Sequence, residues 1–89
     1  MKKVWSDPAW DDYVWWQSQD KKTLKRINKL IKDIERSAGE PCSAPMGKAE
    51  RLKHSRFGLS SVRIDAANRL VYKIEGDALL IVSCKGHYQ

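Results

Sequence analysis

The sequence predicts an α+β fold: two helices packed on one face of a mainly antiparallel sheet. Three observations predict it. Apolar residues in the first half recur at helical spacing, while those of the second half alternate or run continuously. Between the halves lies SAGEPCSAPMG, residues 37–47, with two prolines and two glycines, which reads as a loop. The chain of 89 residues is long enough for one small domain with one core, spanning 1–89.

The elements follow in order. Lys3-Val4-Trp5 is short, apolar and β-prone, a strand. Ser6-Asp7-Pro8 marks a helix start, because Ser caps the free amides and Pro at the first turn has no N–H to leave unpaired. In that helix Trp10, Tyr13, Val14 and Trp16 are expected to be core, with Trp15 exposed; Asp11 and Asp12 sit on early turns, where the helix dipole favours them. Asp20 caps a second helix, KKTLKRINKLIKDIERS, whose buried stripe is Leu24, Ile27, Leu30, Ile31 and Ile34. Its other faces carry Lys21, Lys22, Lys25, Arg26, Lys29 and Lys32, either a solvated surface or a contact for RNA.

After the loop, Lys48 to His54 is charged and contains a short strand. Ser55 to Gly58 is a turn. Val62 and Ile64 then alternate with Ser61, Arg63 and Asp65, so this strand has an apolar and a polar face. Ala66-Ala67-Asn68 makes a corner, and Arg69-Leu70-Val71-Tyr72 returns. Glu75-Gly76-Asp77 is a tight turn. Ala78 to Cys84 is a nearly continuous apolar run, expected to be covered on both faces.

The hairpin sets Arg63 and Arg69 on neighbouring strands. Two guanidinium forks on a rigid sheet can hold a phosphate, each matching two oxygens. The plainer alternative is that they sit on an ordinary solvated face or pair with Asp65 and Glu75. The net charge of +6 and pI of about 9.5 suggest a polyanionic partner such as RNA, DNA, the ribosome or an acidic protein segment. Cys42 and Cys84 show no metal-ligand spacing with each other or with histidine, which argues against a structural zinc site. The first residues lack an apolar run of signal-peptide length and no stretch is long enough to span a membrane, so the cytoplasm is the expected location.

The sheet face away from the helices is expected to carry Glu50, Lys53, Arg63, Arg69 and the chain end. With His54, His87 and Tyr88 these make up the ionisable set. A carboxylate and an imidazole can act as base and acid in one step, and arginine can stabilise charge on phosphorus. RNA brings its own nucleophile, the 2′-OH, so acid, base and cation suffice for its cleavage. Singly, each residue also reads as an ordinary surface group.

The segments VWSDPAWDDYVWWQSQDKK, KRINKLIKDIER, GKAERLKH, RIDAANRLVYKI and CKGHY resemble the YoeB/Txe toxins, in the RelE superfamily of bacterial toxin–antitoxin systems. The resemblance covers nearly the whole chain in order, and the W-S-x-x-A-W-D-D-Y opening together with the R-L-V-Y … G-H-Y ending is specific. It implies a curved, mainly antiparallel RelE-like sheet and a ribosome-dependent mRNA endonuclease active in the decoding site, with no metal and no cofactor. It also implies a YefM-like antitoxin that wraps the toxin and, often, a toxin homodimer. By the same resemblance Glu50 is the general base towards the 2′-OH, Arg69 stabilises the phosphorane and His87 is the general acid. Tyr88 helps position the nucleotide, and Lys53 and Arg63 bind phosphate.

Departures accompany the match. Gly58 to Ile64 lacks a Trp and an Arg of the usual pattern. Val62 stands where a second arginine is usual, which removes one phosphate contact if position 62 faces RNA. Asn68 replaces a usual histidine before R-L-V-Y, and Gln89 extends the chain past the usual terminal tyrosine. The alternative function is a basic RNA- or ribosome-binding protein without catalysis, a degenerate toxin, which would not need Glu50, Arg69 and His87 together. A structural role beside an antitoxin in an operon-regulating complex is compatible with the nuclease.

Overall fold

A computed structural model describes residues 2–37, 50–51 and 58–86, with only the backbone described at 37, 50 and 51. The order is β1 (Lys2–Trp5), α1 (Asp7–Gln19), α2 (Lys21–Ser37), β2 (Glu50–Arg51), β3 (Ser60–Arg63), β4 (Arg69–Glu75) and β5 (Ala78–Ser83). These strands form one five-stranded sheet in the order β1-β5-β4-β3-β2. Only the β1–β5 pair is parallel; the other three pairs are antiparallel. The α+β architecture read from the sequence is therefore the one observed.

The caps act as expected. The Ser6 hydroxyl accepts from the Ala9 amide at 3.1 Å and donates to the Val82 carbonyl at 2.7 Å, so one side chain both starts α1 and fastens it to β5. The Asp20 carboxylate accepts from the Lys22 and Thr23 amides at 3.1 and 3.2 Å and from the Thr23 hydroxyl at 2.8 Å. The Thr23 hydroxyl, foremost among these donors, holds the Asp20 carboxyl below its ordinary value. Gly76 at φ 61° turns β4 into β5, where a side chain would be strained.

The core lies between the helices and one sheet face. Ile27, Leu30, Ile31 and Ile34 from α2 meet Val62, Ile64, Leu70, Tyr72, Leu79 and Ile81, and Leu24 packs on the cluster half-buried. α1 contributes differently from its expected stripe. Ala9 and Trp16 are buried, whereas Trp10 and Val14 are nearly half exposed. The seven-residue step from Ala9 to Trp16 returns to the same helix face, and positions 10 and 14 fall beside it. Trp10 instead stacks on Tyr13 at 5.9 Å and meets Trp5 edge-on at 5.9 Å. Trp15 is exposed as expected.

The apolar run of β5 is fully covered on one face only. Leu79 and Ile81 are buried towards the helices, while Leu80 and Val82 on the other face are half-buried. Cys84 follows as a free thiol at 0% exposure. Its backbone accepts from Trp16 Nε1 at 2.9 Å and donates to Asp12 at 3.1 Å, which locks the end of β5 to α1. Burial, with the Asp12 charge second, pushes the thiol up to about 12.

Candidate functional site

The β3–β4 hairpin positions the arginines. Its register pairs Val62 with Leu70 and Arg63 with Arg69. Val62 and Ile64 enter the core, so Arg63 between them, and Arg69 opposite it, stand on the face away from the helices. Antiparallel partners bring their Cβ atoms within about 4.5–5.5 Å, and two like charges there repel. An anion held between them would offset that repulsion. The neighbouring pair on this face differs in environment: Ser61 and Val71 are buried, yet neither belongs to the main core cluster.

Arg69 is half-buried and its Nε donates to the Ser61 hydroxyl at 3.0 Å. This bond fixes the plane of the guanidinium. Arg63 is exposed, and no described carboxylate pairs with it. The plainer pairing with Asp65 and Glu75 does not form. The Asp65 carboxylate is spent on the corner, accepting from the Ala67 and Asn68 amides at 2.8 Å each and from Asn68 Nδ2. Glu75 lies 3.9 Å from Lys73.

Glu50 enters through β2, where the backbone pairs it with Ser61. The row Glu50–Ser61–Val71 spans β2, β3 and β4, and Arg63–Arg69 is the next row on the same face of β3 and β4. Lys53, His54, His87 and Tyr88 lie outside the described residues, as do Cys42 and Gln89. The chain nevertheless approaches the arginines from its C-terminal side. The Arg69 amide donates to the Gly86 carbonyl at 2.9 Å, and the Gly86 amide donates to Asn68 Oδ1 at 2.8 Å.

One expectation changes. Val62 is completely buried against the helix layer, so it is no missing phosphate contact; the position faces the core. The basic residues of α2 belong to the helix layer, across the sheet from Arg63 and Arg69, and do not extend that pair into one patch. Arg26 among them is half-buried, its Nε bonded to the Ile64 carbonyl, so it ties α2 to the end of β3. Sequence reasoning passed over Ser61 and Asn68 as site residues. The alternation placed Ser61 among the polar positions, which was its only signal, and Asn68 stood out only as a departure from the usual histidine.

No helix among the described residues is long and apolar enough to cross a membrane. The model of a "YoeB-like toxin of bacterial type II toxin-antitoxin system" matches residues 5–88. The toxin YoeB of Escherichia coli strain K12 is 48% identical over 88 residues, covering 99% of this chain and 100% of that protein. The YoeB dimer from Staphylococcus aureus superposes with a TM-score of 0.87 at 39% identity, over 99% of this chain and 98% of that one. The toxin in the YoeB–YefM complex from the same organism superposes with a TM-score of 0.83 at 38% identity, over 99% and 98% of the two chains. Sequence and fold agree over the full length, and the chain belongs to the YoeB-like toxins of bacterial type II toxin–antitoxin systems.

Proposed function

We propose that this toxin is a ribosome-dependent mRNA endonuclease, a single domain of residues 1–89 that cuts mRNA in the decoding site of cytoplasmic ribosomes. The observation that carries the reading is the Arg63–Arg69 register pair, directed away from the core, with Arg69 oriented by Ser61. In the reaction Glu50 takes the proton of a 2′-OH, whose oxygen attacks the adjacent phosphorus. Arg69 stabilises the charge on the five-coordinate phosphorane, and Arg63 and Lys53 hold neighbouring phosphates. The bond to the 5′-oxygen breaks as His87 gives that oxygen a proton, while Tyr88 positions the nucleotide. The products are a 2′,3′-cyclic phosphate and a free 5′-OH, and no metal or cofactor takes part in the scheme.

A YefM-like antitoxin neutralises the protein by covering the basic face. The YoeB–YefM complex of the S. aureus relative supports this partner, and the S. aureus YoeB dimer supports self-association. An acidic segment that orders on binding fits such a surface.

The test is a translation reaction with purified protein, read by primer extension on the mRNA. Cleavage in the decoding site is the expected result. Tight ribosome binding with intact mRNA would contradict it and favour the non-catalytic RNA- or ribosome-binding alternative. Co-expression with the neighbouring open reading frame is expected to give a complex and restore growth.

A further inference from the structure

Gly86 is held at both of its backbone polar atoms by two consecutive residues, Asn68 and Arg69. Asn68 also serves the corner it closes. Its carbonyl accepts from the Ile64 and Asp65 amides at 2.9 and 3.2 Å. Its Nδ2 donates to both Asp65 carboxylate oxygens, at 3.0 and 3.1 Å. A carboxylate can only accept and a backbone amide can only donate, so the amide of Asn68 has one orientation that satisfies both partners. Gly86 itself sits at φ 77°, a conformation that reverses the chain. One residue earlier, the Lys85 ammonium lies 4.0 Å above the Trp15 ring.

We propose that Asn68 is a positioning residue of the cleavage reaction: its side-chain amide, braced by Asp65, grips the Gly86 amide and so fixes, next to Arg69, the point from which the chain continues to His87 and Tyr88. The proposal rests on the nuclease reading above. Asn68 touches no reacting atom in it. It acts through the backbone of Gly86, and it couples the strand that carries Arg69 to the segment that carries the general acid. Losing this grip lets the acid wander, and a misplacement of about 1 Å in such a group can cost on the order of 100-fold in rate.

The experiment uses the full chain, free and on programmed ribosomes, with Asn68→Ala and Asn68→His. In Asn68→Ala the Gly86 amide is expected to exchange with solvent about 10-fold faster or more, since its acceptor is gone. Single-turnover cleavage is expected to fall by about 10- to 100-fold while the ribosome dissociation constant stays within about twofold. A neutral imidazole at position 68 offers an accepting nitrogen and a donating one. Asn68→His should therefore cleave like wild type at mildly alkaline pH. It should lose rate relative to wild type as the pH falls and the ring takes up a proton, which the Asp65 carboxylate beside it favours.

Unchanged exchange at Gly86 would overturn the proposal, as would fast exchange with cleavage within about threefold of wild type. If Asn68→Ala does not fold, Asn68→His decides alone: a pH-independent ratio to wild type overturns the role. An inert wild-type protein would overturn the nuclease reading and this role together. An active wild type with an equally active Asn68→Ala would overturn this role only.

Discussion

Arg63 and Arg69 stand directly opposite each other across β3 and β4, and only Arg69 is oriented by a neighbour, the Ser61 hydroxyl at 3.0 Å. The pair is asymmetric: one guanidinium is half-buried and bonded to Ser61, the other exposed with no described carboxylate paired to it. In the proposed mechanism the Ser61-bonded one serves the transition state and the exposed one a phosphate along the strand of RNA.

Arg63→Ala is accordingly expected to weaken ribosome or RNA binding without abolishing single-turnover cleavage. One phosphate contact fewer should lower the slope of log affinity against log salt by about 0.7–0.9. Titrations at several salt concentrations measure this, and an unchanged slope would remove Arg63 from the interface.

Val62→Arg tests the opposite expectation. Val62 has no exposed surface and belongs to the core beneath α2. An arginine there must bury a charge or push the helix layer outward. The expected outcome is a melting temperature lower by about 5 °C or more, corresponding to about 1 kcal/mol in a domain of this size, with the salt dependence of binding unchanged. A steeper salt dependence with an intact melting temperature would put position 62 at the RNA.

These two positions show what was legible in the sequence. Alternation separated Val62 and Ile64 from Arg63 and predicted both the hairpin and its faces. The resemblance to an arginine at position 62 pointed the other way, and the burial pattern decides for alternation. Capping residues marked both helix starts correctly, because Ser6 and Asp20 act within one turn of themselves. The α1 core was half legible: Trp16 is buried and Tyr13 packs on the cluster as expected, whereas Trp10 and Val14 are nearly half exposed and the small Ala9 takes a core place that no large apolar residue announced. The tether from Asn68 to Gly86 spans 18 residues and depends on the fold, so no local pattern announces it. Glu50 was legible as a strand residue through β2, whereas the roles of Glu50 and His87 came from resemblance.

Ser6→Ala removes two hydrogen bonds at once, the cap on Ala9 and the link to Val82. A lost helix cap costs about 0.5–2 kcal/mol, and the lost link to β5 places this variant towards the upper end. Urea unfolding measures it. A change below about 0.3 kcal/mol would show that α1 holds its start by packing alone.

Cys84 gives the stability a pH dependence. Its folded-state value lies at about 12, against the ordinary 9.0. The unfolded thiol therefore ionises first, and the stability it contributes is present below pH 9 and lost as pH rises towards 12. Burial also raises Tyr72, which acts in the same direction above pH 10. Urea midpoints are expected to fall on going from neutral to strongly alkaline pH, and to fall less steeply in Cys84→Ala. In the native protein the thiol should resist alkylation at neutral pH, and rapid native-state labelling would contradict its burial.

Glu50 and His87 are 37 residues apart in the chain, so only the fold can make them act on one phosphodiester. Single-turnover cleavage on programmed ribosomes, for Glu50→Ala, His87→Ala and the double variant, tests the acid–base mechanism most directly. Each single variant is expected to slow cleavage by about 10²–10⁴-fold, with antitoxin binding retained. The double variant should lose far less than the product of the two, because in the proposed mechanism both residues act in one transition state. The product end should be a 2′,3′-cyclic phosphate. A near wild-type rate for either single variant, or a different product end, would contradict the assignment of these residues as base and acid.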